Sequence, residues 1–95
     1  MTKFMIFAGL LGIVLGLAVP STPANAAAPG FCRDYARAAI NQVRGALSKP
    51  RCRAGMEGSR WSANERVHYG WCLGASPEAA EEERARRTEH IERCR

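Results

Sequence analysis

Four cysteines constrain the fold of this 95-residue chain more than any other feature of its sequence. The part that follows the first 26 residues carries only twelve large apolar or aromatic side chains. A domain this small rarely becomes stable through its hydrophobic core alone and usually depends on disulfide bonds or a structural metal. An even number of cysteines favours disulfide bonds. We therefore predict one small domain held together by paired cysteines.

The first 26 residues have the composition of a secretion signal. Lys3 supplies a positive charge, residues 4–19 form an uncharged apolar run, and small residues precede Ala27 as in a signal-peptidase site. The apolar run is shorter than the roughly 20 residues of a membrane-spanning helix. We predict a cleavable signal peptide over residues 1–26, a periplasmic or secreted location, and no transmembrane segment in the mature form. Disulfide bonds persist in such oxidising compartments.

Helix signals occupy most of the remaining chain. Apolar side chains recur at helical spacing up to Leu47, and Pro50 lies just beyond this pattern. Ser62 and Glu65 have the spacing of a capping box, and Ser76 precedes a proline and an acid as at a helix N-terminus. The predicted helices span residues 31–48, 63–73 and 77–94.

These signals predict an all-α fold, because no stretch of the chain alternates apolar and polar residues as a strand does. The fold is a small disulfide-stapled three-helix bundle over residues 31–95. A flexible lead over residues 27–30 joins it to the signal peptide.

Helix length decides between the pairings that four cysteines allow. A first helix of about 17 residues separates its two ends by roughly 25 Å. The α-carbons of a disulfide lie within about 7 Å of each other, so Cys32 does not reach Cys52. In an up-down-up bundle, Cys72 returns to Cys32 and Cys94 returns to Cys52. We predict the disulfide bonds Cys32–Cys72 and Cys52–Cys94.

A zinc site is the alternative use of these cysteines. His68 and Cys72 are four residues apart, as are His90 and Cys94, so each pair presents two ligands on one helix face. The up-down-up arrangement places Cys72 and Cys94 at opposite ends of the bundle. We therefore predict no metal and no cofactor, and His68 as a core or boundary histidine.

The sequence carries no motif of an enzyme. It has no Gly-x-Ser-x-Gly elbow, no His-Glu-x-x-His and no glycine-rich phosphate loop. The acids of residues 81–83 are followed by arginines and are expected to form a solvated helix face. We predict that the protein is not an enzyme.

Arginine is enriched, and the chain has a formal net charge of +5. The positive charges concentrate in residues 31–60, which predicts one basic end suited to anionic lipid or glycan surfaces. Genome base composition is the alternative explanation. Sequence-specific nucleic-acid binding is not expected of an exported protein. The candidate residues for an anionic surface are Arg33, Arg37, Arg44, Arg51, Arg53 and Arg60.

Several other side chains are predicted to have structural roles. Trp61 is expected to cover the start of the second helix, with stacking on a ligand beside Arg60 as the alternative. His68 and Trp71 are expected on the buried side of that helix together with Val67. Arg33 and Arg37 are expected to pair with glutamates of the third helix.

Glu83 and Arg87 are expected to form a partly buried ion pair, with Gln42 or Tyr35 as a further hydrogen-bonding partner. The residues to which structural roles are assigned are Trp61, Ser62, Glu65, His68, Trp71, Glu83 and Arg87.

The four cysteines lie in a recognisable pattern, which is C-x2-YA near the first cysteine, RW-x6-H-x2-WC up to the third, and E-x3-R-x3-I-x2-C up to the fourth. This pattern resembles that of a recurring type of small exported four-cysteine protein of proteobacteria. The resemblance covers nearly all of the chain after residue 26. It implies a helical module of the cell envelope and no substrate or reaction.

We expect a non-enzymatic structural or binding module of the cell envelope or extracellular space, whose partner the sequence does not identify. The first alternative is a cationic protein that associates with anionic lipid or glycan surfaces. The second is a small metal or redox protein that uses the His/Cys pairs.

Overall fold

A computed structural model describes residues 25–95. The predicted signal peptide lies outside these residues except for its last two positions. Residues 25–95 form three α-helices and two short 3-10 turns and contain no β-strand. The predicted all-α, three-helix fold is confirmed. The helices are α1 (Pro29–Leu47), α2 (Glu65–Leu73) and α3 (Pro77–Cys94), and the 3-10 turns are Pro50–Cys52 and Ser59–Trp61.

Helix α1 begins at Pro29, two residues before the predicted start. Proline suits the first helical turn because its missing N–H has no partner there in any case. Ala27 is buried beside the Cys32–Cys72 bond, and its N–H donates to the Ala75 carbonyl at 2.8 Å. The segment 27–30, predicted as a flexible lead, therefore consists here of a buried anchor and the first turn of α1.

Helix α2 begins at Glu65 and does not use the predicted capping box. Asn64 is the N-cap, and its Oδ1 accepts from the Arg66 N–H at 3.0 Å. Ser62 ends the preceding 3-10 turn in an extended conformation, and its hydroxyl accepts from the Asn64 N–H. The prediction of Ser62 as N-cap was wrong because this turn, invisible in the sequence pattern, already fixes its backbone.

Helix α3 begins as predicted. Ser76 is its N-cap, and the hydroxyl accepts from the Ala79 N–H at 3.1 Å. Pro77 occupies the first turn and Glu78 supplies the expected acid there. An acid at this position interacts favourably with the positive end of the helix dipole.

The two disulfide bonds join Cys32 to Cys72 and Cys52 to Cys94, as predicted. The α-carbons lie 5.5 Å apart in the first bond and 4.9 Å apart in the second. Each bond sits in its own hydrophobic cluster. The first cluster includes Tyr35 and Ala80, and the second includes Val43 and Trp61. Each end of the bundle is therefore closed by one disulfide bond.

Helix α1 supplies seven of the twelve buried hydrophobic residues in the described part of the chain. Its inward face is rich in alanine, with Ala36, Ala39 and Ala46 almost fully buried. Such small side chains let neighbouring helices approach closely, which suits a chain with few large apolar residues.

In the described part of the chain, no helix is long and apolar enough to cross a membrane.

Candidate functional site

A groove of about 380 Å³ opens between α2, α3 and the loop that precedes α2. We call it the Trp71 groove, and define it by six of the side chains that line it. These are Tyr35, Arg60, Val67, Trp71, Glu83 and Arg87. Its volume lies within the roughly 300–1,000 Å³ that is common for small-ligand sites.

Arg87 forms the floor of the groove and is only 1% exposed. Its Nε donates to Gln42 Oε1 at 2.8 Å, and its Nη2 donates to the Tyr35 hydroxyl at 3.0 Å. Its Nη1 donates to the Arg60 carbonyl at 3.4 Å. The buried guanidinium thus ties α3 to α1 and to the loop through uncharged acceptors. Gln42 and Tyr35, the partners expected for this region, both contact it.

Glu83 pairs with Arg60 and not with Arg87, which corrects the predicted ion pair. Arg60 Nε and Nη2 donate to the two Glu83 carboxylate oxygens at 2.8 and 2.9 Å. Glu83 lies one turn before Arg87 and faces the loop, whereas Arg87 faces α1. The bidentate geometry is the strong form of this interaction.

The ion pair changes the proton affinity of both partners. The hydrogen bond from Arg60 lowers the pKa of Glu83, against the opposing effect of burial. The same hydrogen bond raises the pKa of Arg60 above its ordinary value. Both groups are therefore charged over the physiological range of pH.

Trp71 forms one wall of the groove and is 43% exposed. Val67, one turn earlier on α2, is also exposed and lines the same wall. The prediction that these two residues lie on the buried side of the helix was wrong. His68 and Cys72 occupy that side, and His68 Nε2 donates to the Ser62 carbonyl at 2.8 Å.

Trp61, the last residue of the 3-10 turn before α2, is 8% exposed and also lines the groove. Its ring lies 4.8 Å from that of His90, centroid to centroid, and it packs in the cluster around Cys52. His90 Nε2 donates to the Cys52 carbonyl at 2.8 Å. Trp61 therefore fixes the loop against α3.

The alternative zinc site of His68, Cys72, His90 and Cys94 is not assembled. Cys72 and Cys94 belong to different disulfide bonds, and both histidines donate to backbone carbonyls. Over residues 25–95, no three His, Cys, Asp or Glu side chains are grouped so that they could hold a metal ion.

Two glycines of the loop adopt backbone conformations that other residues rarely reach. Gly55 has φ of 84° and Gly58 has φ of 89°. At Gly55 a Cβ would also lie 3.3 Å from the His90 ring. These glycines allow the loop to turn back over α3 and border the groove. The sequence showed them only as signs of a loop.

The six candidate arginines do not form a single surface. Arg33, Arg37 and Arg44 are exposed at intervals along α1, and Arg37 lies 3.9 Å from Asp34 of its own helix. The expected pairing of Arg37 with α3 is therefore replaced by a local contact. Arg60 belongs to the ion pair of the groove.

Arg51 and Arg53 lie at the end of the bundle closed by the Cys52–Cys94 bond. Arg53 Nε donates to the Leu47 carbonyl at 3.0 Å, so this side chain caps the last turn of α1. Lys49, Arg51 and Arg95 surround a shallow depression beside Cys94. We call Lys49, Arg51, Arg53 and Arg95 the basic end.

Comparisons of the chain with known protein families, with curated proteins and with solved structures find no match.

Proposed function

We propose that this protein is an exported, non-enzymatic binding module of the cell envelope or extracellular space, and that the Trp71 groove is its binding site. The observation that carries the proposal is the large exposed aromatic side chain of Trp71 beside an ion pair and above a fixed floor. Tryptophan and arginine are the residues that most often dominate binding energy at interfaces.

The rigidity of the groove supports this role. Arg87 connects α1, α3 and the loop below it, and a disulfide bond closes the bundle at each end. A site whose side chains are already fixed loses little conformational entropy when a ligand binds. The aromatic and charged residues of the sequence pattern also meet here, although they are far apart in the chain.

Export is supported by the leader composition and by the two disulfide bonds, which are typical of oxidising compartments. The test is the intact mass of the protein recovered after expression of the full chain in a secreting bacterium. We expect a chain that begins at Ala27 and contains no free thiol. A retained leader or reduced cysteines would contradict the export part of the proposal.

The binding role is tested by capture experiments on envelope and culture-fluid extracts, with protein purified after expression of the full chain. Trp71→Ala is compared with Leu73→Ala, a residue of the same helix that is 37% exposed and does not line the groove. We expect a retained component that Trp71→Ala loses and Leu73→Ala keeps. Equal retention by the two variants would exclude the groove as the binding site.

The basic end favours a second candidate function, association with anionic lipid surfaces. Lys49, Arg51 and Arg95 converge on one depression, and Leu47 beside them is exposed. Clustered cations of this kind attract anionic headgroups, and the attraction weakens with salt.

Two double charge reversals test this second function with equal changes of net charge. Lys49→Glu with Arg51→Glu alters the basic end, and Arg33→Glu with Arg66→Glu alters a depression that α1 and α2 share. Sedimentation with vesicles of anionic phospholipid should fall only for the first variant. An equal effect of both would indicate attraction by net charge alone.

A further inference from the structure

We propose that the Trp71 groove binds a neutral glycan, with a sugar ring stacked on Trp71 and its hydroxyl groups bound to the Arg60–Glu83 ion pair. This inference rests on the proposed binding function and names the class of its ligand. It is argued from the charge of the groove, its free hydrogen-bonding groups and its aromatic wall.

The charged side chains that line the groove balance each other. Arg60 and Arg87 are the cations, and Glu57 and Glu83 are the anions. A site for an anionic ligand would carry an excess of positive charge, and a site for a cation the reverse. The balance favours a ligand that is polar and uncharged.

The Arg60–Glu83 pair offers donors and acceptors side by side at the surface. The Arg60 side chain is 42% exposed and that of Glu83 is 24% exposed. Arg60 uses Nε and Nη2 for the pair, and the two N–H groups of Nη1 have no hydrogen-bond partner among residues 25–95, so they can donate to a ligand. Each Glu83 oxygen accepts one hydrogen bond from Arg60 and has capacity for another.

A sugar matches this arrangement because each hydroxyl group both donates and accepts. Of two neighbouring hydroxyls, one can accept from Arg60 Nη1 while the other donates to a Glu83 oxygen. Hydrogen bonds to charged partners are stronger than those between neutral groups. The ion pair stays intact, so the guanidinium and the carboxylate are not left unpaired.

Trp71 supplies the apolar half of sugar recognition. The face of an aromatic ring is negative, and it attracts the weakly positive C–H groups on the face of a sugar ring. The Tyr35 ring supports Trp71 from inside, with the centroids 5.7 Å apart and the planes at 39°. The indole is therefore both exposed and held in place.

The test is a titration of the purified protein with neutral tetrasaccharides of glucose, mannose, galactose and N-acetylglucosamine, followed by NMR amide shifts and calorimetry. A sulfated heparin tetrasaccharide is the charged comparison. We expect at least one neutral tetrasaccharide to bind with a dissociation constant of about 1 mM or tighter. Binding should persist in about 0.5 M salt, because the ligand is uncharged.

Matched variants locate the binding. Trp71→Ala and Arg60→Ala should each weaken it by roughly tenfold. Leu73→Ala on α2 and Arg86→Ala on α3 are the controls, since Arg86 also forms an ion pair, with Glu82 at 3.0 Å, outside the groove. Trp71→Phe keeps an aromatic ring and should retain part of the affinity, which covers the case in which Trp71→Ala does not fold.

Three results would overturn the inference. The first is no binding of any neutral tetrasaccharide at about 10 mM, far above an affinity of biological interest. The second is neutral binding that Trp71→Ala and Trp71→Phe leave unchanged. The third is salt-sensitive binding of the heparin tetrasaccharide alone, which would point to the basic end. A protein captured through Trp71 without sugar binding would overturn the ligand class and leave the proposed binding function standing.

Discussion

Arg87 shows how a buried charge can organise a small protein. The guanidinium is removed from solvent, yet its three hydrogen bonds reach α1 and the loop before α2. Burying a charge without such partners is strongly unfavourable. Because the acceptors come from distant parts of the chain, Arg87 specifies how these parts meet.

We expect Arg87→Leu to lower the free energy of unfolding by about 3 kcal/mol, because Tyr35 and Gln42 lose a buried partner. Arg86→Leu is the matched control, since it makes the same change at the next residue of α3, on an exposed position. That control should change stability by no more than about 0.5 kcal/mol. Chemical denaturation with a shared m-value measures both. Equal effects would show that Arg87 contributes no more than a surface arginine.

The Arg60–Glu83 pair predicts a dependence of stability on pH. The folded pKa of Glu83 lies below its ordinary value of 4.5, so the stabilisation is complete above that pH. It is lost as the pH falls through the lower, folded value, where the carboxylate takes up a proton. Glu83→Gln should remove this part of the acid dependence, and Glu82→Gln on the exposed face of α3 should leave it in place. Denaturation midpoints across the acid range measure the difference.

The residue scale is also where sequence reasoning was least successful. Spacing along the third helix suggested an ion pair between Glu83 and Arg87, because residues four apart are neighbours on a helix. The observed partner, Arg60, is 23 residues away, and its position depends on how the loop folds. The exposure of Trp71 was not predicted for the same reason, since the surroundings of this side chain also depend on how the loop folds.

At the level of single helices, local signals predicted α1 and α3 well. A long apolar face and a serine-proline start contain enough information, because both act within a few residues. Helix α2 has only nine residues, and its start depends on the 3-10 turn before it. A sequence with several polar residues in succession allows more than one cap, and the tertiary position of the turn decides which is used.

We expect Asn64→Ala to cost about 1 kcal/mol of stability, because the Arg66 N–H loses its acceptor. Glu65→Ala, which removes the acceptor that a capping box needs, should cost no more than about 0.5 kcal/mol, from the lost charge in the first turn of the helix. Thermal or chemical denaturation of both variants separates the two arrangements. A larger loss for Glu65→Ala than for Asn64→Ala would favour the capping box.

At the scale of the whole molecule, the disulfide pairing was predictable because it follows from the length of the first helix and from the up-down-up order of the three helices. The bonds close loops with sequence separations of 40 and 42 residues. The aromatic groove could not be predicted, because it depends on the positions of side chains from α2, α3 and the loop before α2 at once.

Loops of this length predict a loss of about 4 kcal/mol when either bond is removed, if a disulfide acts by restricting the unfolded chain. The pairs Cys32→Ala with Cys72→Ala, and Cys52→Ala with Cys94→Ala, should therefore destabilise the protein to a similar extent. Denaturation of each variant measures this. A much larger loss for one pair would show that removing its bond also disrupts the packing of its hydrophobic cluster, in addition to releasing the restricted loop.

The two bonds interleave along the chain, since each one starts or ends inside the loop that the other closes. A single break in the backbone anywhere between Cys52 and Cys72 would give two fragments, and each fragment would hold one cysteine of each bond. The product would be a two-chain protein, linked covalently at both ends of the bundle. The loop beside the Trp71 groove lies within this interval, so a protease that cuts this loop would leave the two halves joined.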